Sequence, residues 1–474
     1  MNALVFPFPA SAAPQWVPGQ QSLVTPNPTS ASLVPAPRRL PLVGGVLDPG
    51  PALDLMNSWF FVSEQGGEVG IYRIEDDGTL TYLAMDDFRL RLANMFVDVS
   101  SQNQQPGSKL VGIDKFWLQH PARRQCNKIV FEPGGKVGID EYNSWRGFAV
   151  LPTAGWQKQR RLLRHIFRII CRRDKAKFKY LMKWLAWAVQ NPDRHAEVII
   201  VLISNTEGSG KSTLGIIMLD IFGRRHGLLV DDKDQLLGNF NSHLETTCFV
   251  LGEEVLWAGD NKTADALKSR ITASSIPIEA KYRQRRQVPN RLHVMLTTNH
   301  TWAISAGMQA RRYFVVEVSD EVAQDPGWFG PLYQDLDEGG RGEFLNLLLT
   351  LNLGSWHPRK VPKTVELVEQ QVLSAGSVEQ WLLGSVEVDN LAGRTDPQEL
   401  GCDIPTQILY EAYCEYTRRR TARVETLVMF GKLLTKLFGP SRRLPASRSG
   451  KRAVGYSVPD AAALRLAVHK HLKT

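Results

Sequence analysis

Val198–Thr213 reads V-I-I-V-L-I-S-N-T-E-G-S-G-K-S-T. An apolar run of strand type ends at Ser204, a glycine-bearing loop comes next, and Lys211-Ser212-Thr213 open an apolar segment, Leu214–Phe222, of helical length. Strand, loop and helix in that order is what a phosphate-binding loop requires. Backbone N–H groups of the loop and of the first helical turn converge on an anion, and the helix dipole favours negative charge there. The expected cradle is Asn205, Thr206, Glu207, Gly208, Ser209, Gly210, Lys211, Ser212 and Thr213, with Lys211 reaching the β- and γ-phosphates and Ser212 holding Mg²⁺. The usual pattern is G-x-x-x-x-G-K-[ST], and Asn205 stands where its first glycine belongs. Asparagine tolerates a left-handed backbone better than most residues. The competing reading is a Gly-Ser turn ahead of an ordinary helix, and residues further along the chain weigh against it.

Thr247–Leu251 is a buried-type strand that runs into Gly252-Glu253-Glu254. In a nucleotide site an acidic pair at such a strand end has two tasks. One carboxylate, here Glu253, stands on the metal side, and the other, Glu254, orients or deprotonates the attacking water. A further strand, Leu292–Leu296, ends in Thr297-Thr298-Asn299, where the Asn299 amide can touch both the γ-phosphate and the water. Arg311-Arg312 precede the strand Tyr313–Val318, and an arginine there can stabilise charge on a transferred phosphoryl group. Taken singly, these features equally describe an acidic turn, a turn residue and a basic strand end.

The 474 residues are enough for about three domains, and the 43% hydrophobic and 22% charged shares are those of a soluble globular protein. Five cysteines without C-x-x-C or zinc-ligand spacing point to a reducing, cytoplasmic setting. No apolar run is long enough for a membrane span, and Arg38, the first charged residue, comes too late for a secretory signal. The net charge of +9 is unevenly placed. From Arg418 onward fourteen Lys/Arg face two acids, and from Gln157 to Lys183 eleven face Asp174 alone, so the rest of the chain is net acidic. Two basic concentrations of this kind point to a polyanion, with nucleic acid first, against the plainer reading of solvated helix faces.

Residues 1–51 carry eleven prolines and almost no charge, the composition of a disordered or extended tail. Trp59–Val62, Val69–Ile74 and Leu80–Leu83 alternate as short strands. Phe88–Phe96 reads as a helix, and the turn-rich Gly134-Gly135 and Tyr142–Phe148 as local packing. Arg160–Arg172 and Lys175–Gln190 read as two helices. Trp184 and Trp187 on the second are expected in a core rather than stacked on bases.

With phosphate loop, acidic pair, Thr-Thr-Asn and Arg-Arg in this order, the chain resembles the superfamily 3 helicases, and within them the phage, plasmid and poxvirus primase–helicase lineage. That lineage's Phe-Asn signature appears as Phe240-Asn241. Ala266–Thr272 and Ile276–Lys281 resemble its segment between the acidic pair and the polar sensor. Likeness continues through Trp117–Pro121, Tyr142–Phe148, Leu185–Trp187 with Gln190–Pro192, Trp356–Arg359 and Val361–Thr364, so it spans roughly Trp117 to Leu383. The resemblance implies an α/β fold: a P-loop AAA+ type ATPase domain with a small α+β N-terminal region and a C-terminal helical or winged-helix-like domain. It also implies an ATP- and Mg²⁺-dependent helicase of a phage or mobile element, in the cytoplasm of a bacterium or an infected host cell. Such a protein works as a homo-oligomeric ring, expected to be a hexamer. One subunit supplies Lys211, Ser212, Glu253, Glu254 and Asn299, and its neighbour supplies Arg311 or Arg312. Lys281 tops a hairpin that grips single-stranded DNA.

The expected organisation is a tail (1–51), a small α+β region (52–155), a basic helical segment (156–195), the ATPase domain (196–335), a helical extension (336–400) and a basic winged-helix-like domain (401–474). In the last, Thr406–Arg419 and Thr426–Phe438 read as helices, Ala453–Val458 as a strand and Asp460–Leu472 as a helix. A second function stays open, a nucleic-acid-binding replication initiator or scaffold whose nucleotide site does not turn over. Between Met1 and Gly155 no two aspartates stand two apart, so the Asp-x-Asp of the lineage's primase domains is missing and a separate primase or polymerase partner is expected.

Overall fold

A strand buried on both faces must be apolar at every position, and Ile199–Ile203 (β1) is. The computed structural model describes residue 44 onward, apart from 66, 77, 101–108, 136, 255–260, 280–284, 301–311, 394–398, 421–423, 445–452 and 473–474. Most of the proline-rich tail, Lys281, Arg311 and much of the basic loop before Ala453 lie outside the described residues. β1 sits in a five-stranded sheet with Gly227–Val230 (β2), Phe249–Glu253 (β3), His293–Thr298 (β4) and Tyr313–Glu317 (β5). The order is β2-β3-β4-β1-β5, and every pairing is parallel. All five carboxyl ends therefore meet one edge.

Period-two alternation splits the apolar side chains of the sheet between two cores. Ile200, Leu202, Leu251, Met295 and Phe314 face the helices Lys211–His226, Lys175–Gln190 and Arg341–Thr350. Ile199, Val201, Val250, Val294 and Val315 face Leu267 and Ile271 of Asn261–Thr272 and the hairpin residues Ile276 and Ile278. The helix after the loop breaks at Gly223 (φ 71°), so its regular part ends at Phe222, where the apolar run of the sequence stops.

Trp184 is fully buried and donates from Nε1 to the Val198 carbonyl at 3.0 Å, and Trp187 packs on His357 at 4.9 Å. Both tryptophans are core residues. The preceding helix is Arg160–His165, continued by a π-turn, Ile166–Ile170. It stops short of Arg172, because Arg172 and Arg173 are left-handed (φ 48° and 63°) and Asp174 then caps Lys175–Gln190.

The amino-terminal part holds a five-stranded sheet in the order Leu80–Leu83, Glu68–Ile74, Phe60–Gln65, Gln125–Val130, Glu141–Asn143. The expected helix Phe88–Phe96 is instead Met85–Leu92 followed by the strand Met95–Asp98. Met95 and Val97 are buried while Phe96 is exposed, and that alternation takes the chain into a sheet. Tyr142–Phe148 packs against distant parts of the chain rather than locally. Tyr142 stacks on Phe61 at 4.5 Å, and Trp145 lies 4.4 Å from the His226 ring.

Toward the carboxyl terminus, Asp403–Pro405 and Arg442–Arg443 pair antiparallel on either side of Val454–Ser457. Helices Ser377–Glu387, Thr406–Arg419, Leu427–Phe438 and Ala461–Leu472 surround that small sheet. Trp381, Tyr413, Phe430, Leu434 and Tyr456 form their common core.

Burial lowers three histidines, His165, His226 and His293, from the ordinary 6.5 to about 4. Folded protein holds them neutral where the unfolded chain would bind protons. Their stabilisation is complete above pH 6.5 and is lost as the pH falls toward 4. Thermal melts between pH 7 and 5 should show a falling midpoint, and His226→Gln should flatten the slope.

Candidate active site

β1 ends at the loop. Ser204 Oγ donates to the Thr206 carbonyl (3.0 Å) and accepts from the Thr206 N–H (3.2 Å), turning the chain out of the sheet. Asn205 keeps a negative φ, so the glycine of the usual pattern is not required at that position. The left-handed residues are Gly208 (φ +71°) and Gly210 (φ +85°). The Gly208 carbonyl accepts from Gln324 N at 3.1 Å and the Gly210 carbonyl lies 3.2 Å from His165 Nε2, so both carbonyls turn toward the protein. A Cβ on Gly208 would lie 2.7 Å from Gln324 Cγ, and one on Gly210 2.6 Å from His165 Cε1. Ser209 is buried within the loop, and its Oγ has no hydrogen-bond partner.

At the sheet edge the expected residues come together. Lys211, 12% exposed, donates from Nζ to Asn299 Oδ1 at 2.5 Å and lies 3.9 Å from Glu254 Oε1. Ser212 Oγ is 3.4 Å from Thr297 Oγ1, and Thr297 stands in register with Glu253 across β3 and β4. Glu254 is left-handed (φ 54°), a conformation uncommon outside glycine. Its N–H donates to the Thr297 carbonyl at 3.0 Å. Its carboxylate accepts from the Asn299 N–H (2.9 Å) and the Thr298 hydroxyl (3.0 Å). Thr297 and Thr298 thus hold the carboxylate side of the site. In sequence they read only as strand residues leading to Asn299.

Arg312 does not join this cluster. Its carbonyl accepts from Ile199 N at 2.8 Å, at the start of β1. A five-residue strand spans roughly 15 Å, so Arg312 lies at the opposite edge of the sheet from its own Lys211. Lys281 falls between Ser275–Ile278 and Arg286–Pro289, which pair antiparallel as a hairpin. Asn241 clamps the hairpin where its first strand runs into the turn: Nδ2 donates to the Pro277 carbonyl (2.9 Å), and Oδ1 accepts from Glu279 N (2.9 Å). Beside it Phe240 is 68% exposed. The Phe-Asn pair therefore divides into a buried brace and an outward ring.

Part of the first basic stretch is engaged within the protein. Lys158 pairs with Glu338, Arg161 with Asp335, Arg168 and Arg173 with Glu321, Arg172 with Glu317 and Lys177 with Glu366. Six of its eleven cations are answered by acids of residues 317–366, a pairing that local charge counting cannot see. Gln190 and Thr364 are likewise structural. Gln190 Nε2 donates to the Leu348 and Leu351 carbonyls at a helix end (2.7 and 2.8 Å), and Thr364 Oγ1 donates to the Val315 carbonyl (2.9 Å).

The residues fit the phosphates of a nucleoside triphosphate. The glycine cradle leaves no room for side chains on its protein side, Ser209 Oγ is an orphaned buried polar atom, and Lys211 points at the carboxylate edge. Among the described residues, no group of three or more His, Cys, Asp or Glu side chains gathers that could hold a metal ion. On the sequence expectation, Ser212 and Glu253 would hold Mg²⁺ together with phosphate and water oxygens.

A family described as "Family of unknown function (DUF5906)" matches residues 202–312, from the end of β1 to Arg312. No protein of curated function matches the chain. The apo structure of the NrS-1 C-terminal region (305–718) is similar, with a TM-score of 0.58 at 17% identity, covering 84% of this chain and 95% of that one. An A-form apo structure of the same region gives 0.57 at 16%, covering 87% and 99%. A structure of JCV helicase aligns at a TM-score of 0.29 and 16% identity, covering 49% and 66%. The chain shares the mixed α/β fold of the NrS-1 region over most of its length. Among the described residues no helix is long and apolar enough to cross a membrane.

Proposed function

We propose that the chain is an ATP-dependent DNA helicase of the superfamily 3 type, hydrolysing ATP between subunits of a ring that moves on single-stranded DNA. The observation that supports this most is the meeting of Lys211, Ser212, Glu254 and Asn299 at the carboxyl ends of β1, β3 and β4. Lys211 would neutralise charge on the transferred phosphoryl group, and Asn299 would fix the lysine and touch the nucleophile. Glu254, held as an acceptor by Asn299 N–H and Thr298, would orient the attacking water. ATP would supply the phosphoanhydride, and Mg²⁺, held by Ser212 and Glu253, would offset the negative charge of its phosphates. Arg312, too far from its own loop, suits a site on the next protomer, which favours a ring, with six members as the lineage implies.

The carboxyl-terminal order of helix, strand, helix, helix, strand, strand supports a winged-helix reading. Leu427–Phe438 then presents Lys432 and Lys436 to DNA, and both side chains reach solvent. Primer synthesis falls to a separate primase or polymerase.

Lys211→Ala should abolish ATP turnover, and Glu254→Gln should bind ATP without hydrolysing it, in a steady-state assay with and without single-stranded DNA. Wild-type turnover by Lys211→Ala would sink the assignment. If Arg312 acts in trans, Arg312→Ala mixed with Lys211→Ala should regain part of the activity that neither has alone. A flat mixing curve, at concentrations where both assemble, would count against it. Cutting the chain at Thr417 would remove Phe430, Leu434 and Tyr456 from the core, so charge replacement is the cleaner probe. Lys432→Glu with Lys436→Glu should weaken DNA binding and lower the slope of log K against log salt by about 2.

A further inference from the structure

The catalytic reading leaves one buried titratable side chain at the loop unused, and its surroundings specify its state. His165 ends the helix Arg160–His165 and is completely buried under the phosphate loop. Its Nε2 is 3.2 Å from the Gly210 carbonyl, and its Nδ1 accepts from Trp328 Nε1 at 3.1 Å. An indole N–H can only donate, so Nδ1 is the bare nitrogen and the proton sits on Nε2, directed at Gly210. Burial keeps the ring neutral, with its pKa lowered to about 4.

Gly210 is the left-handed residue that immediately precedes Lys211. Its carbonyl belongs to the peptide whose N–H is that of Lys211, so the two groups point to opposite sides of the loop. Holding the carbonyl down aims the N–H up, toward the phosphates. The carbonyl also accepts from Thr213 N at 3.2 Å, and the Phe329 ring closes the remaining space. Without its side-chain donor this buried carbonyl keeps only the Thr213 N–H, so the peptide, its N–H included, is held less tightly.

We propose that His165 is a positioning residue for the phosphate loop: as the Nε2–H tautomer set by Trp328, it orients the Gly210–Lys211 peptide for nucleotide binding. This rests on the ATPase reading above. It adds that the loop is tuned from the basic helix, a part of the chain that contributes no group to the phosphates.

The test is titration of the full chain with a fluorescent ATP analogue, alongside thermal melts. His165→Phe keeps a ring without the donor and should weaken nucleotide affinity about tenfold. Once nucleotide is saturating, kcat should change far less. Trp328→Phe, which removes only the indole N–H, should show a smaller loss of the same kind. His165→Gln, with an amide that can donate to Gly210, should recover most of the affinity. Wild-type affinity in a folded His165→Phe overturns the inference and leaves the ATPase reading standing. So does a Gln variant no better than Phe, because packing alone would then account for the residue. Wild-type protein that binds no nucleotide overturns both. Should His165→Phe fail to fold, long-range ¹⁵N NMR of wild-type protein decides. An Nε2–H tautomer whose resonance shifts on adding nucleotide supports the role, and an Nδ1–H tautomer or an unmoved signal refutes it.

Discussion

The site depends on a strand that has nowhere to go. β1 lies between β4 and β5, buried on both faces, and hydrogen-bonded in parallel register along its length. Displacing it would open two cores at once, so its last residue is a fixed point from which the loop departs. Because all five strands are parallel, the ends of β3 and β4 arrive at the same edge. That is how Lys211 meets Asn299, 88 residues further along the chain.

A loop hung from a fixed strand still needs its peptide planes set. Its glycines turn carbonyls inward, and inward carbonyls require donors. Gln324 N supplies Gly208 at 3.1 Å, and His165 supplies Gly210. Both donors come from outside the sheet, and the same two regions are tied together by Arg168, Arg172 and Arg173 on Glu321 and Glu317. These ion pairs are partly exposed, and each alone contributes little. Their effect is to set the position of the segment carrying Gln324, Trp328 and Phe329 against the loop. Charges that by composition suit nucleic acid are engaged in that task.

Much of the sheet and half of the site are legible in the residues because both rest on local rules. An apolar run leading into a glycine loop and a lysine constrains backbone conformation within a dozen residues, whatever surrounds it. The acidic pair and Thr-Thr-Asn can be assigned because strands ending in polar residues share an edge when the sheet is parallel. The helical pattern of Phe88–Phe96 misleads in its second half because Met95 and Val97 take a strand's alternation from partners far away in sequence, and short apolar stretches fit either period. The basic stretch shows a related limit: net charge counts a side chain without its partner, and six of its eleven cations have one inside the protein.

By itself, then, the sequence determined where the glycine loop lies, which strand carries it and which side chains the proposed function would use. Those depend on backbone freedom and functional-group chemistry, properties of residues and their neighbours. Only the tertiary structure decided that Asn205 needs no left-handed backbone, that Thr297 and Thr298 hold the carboxylate side, and that Arg312 stands at the far edge of its own sheet. The same holds for His165 beneath Gly210. Each of these is a relation between groups 43 to 113 positions apart or a backbone angle set by packing, and no local pattern encodes a distance across the fold.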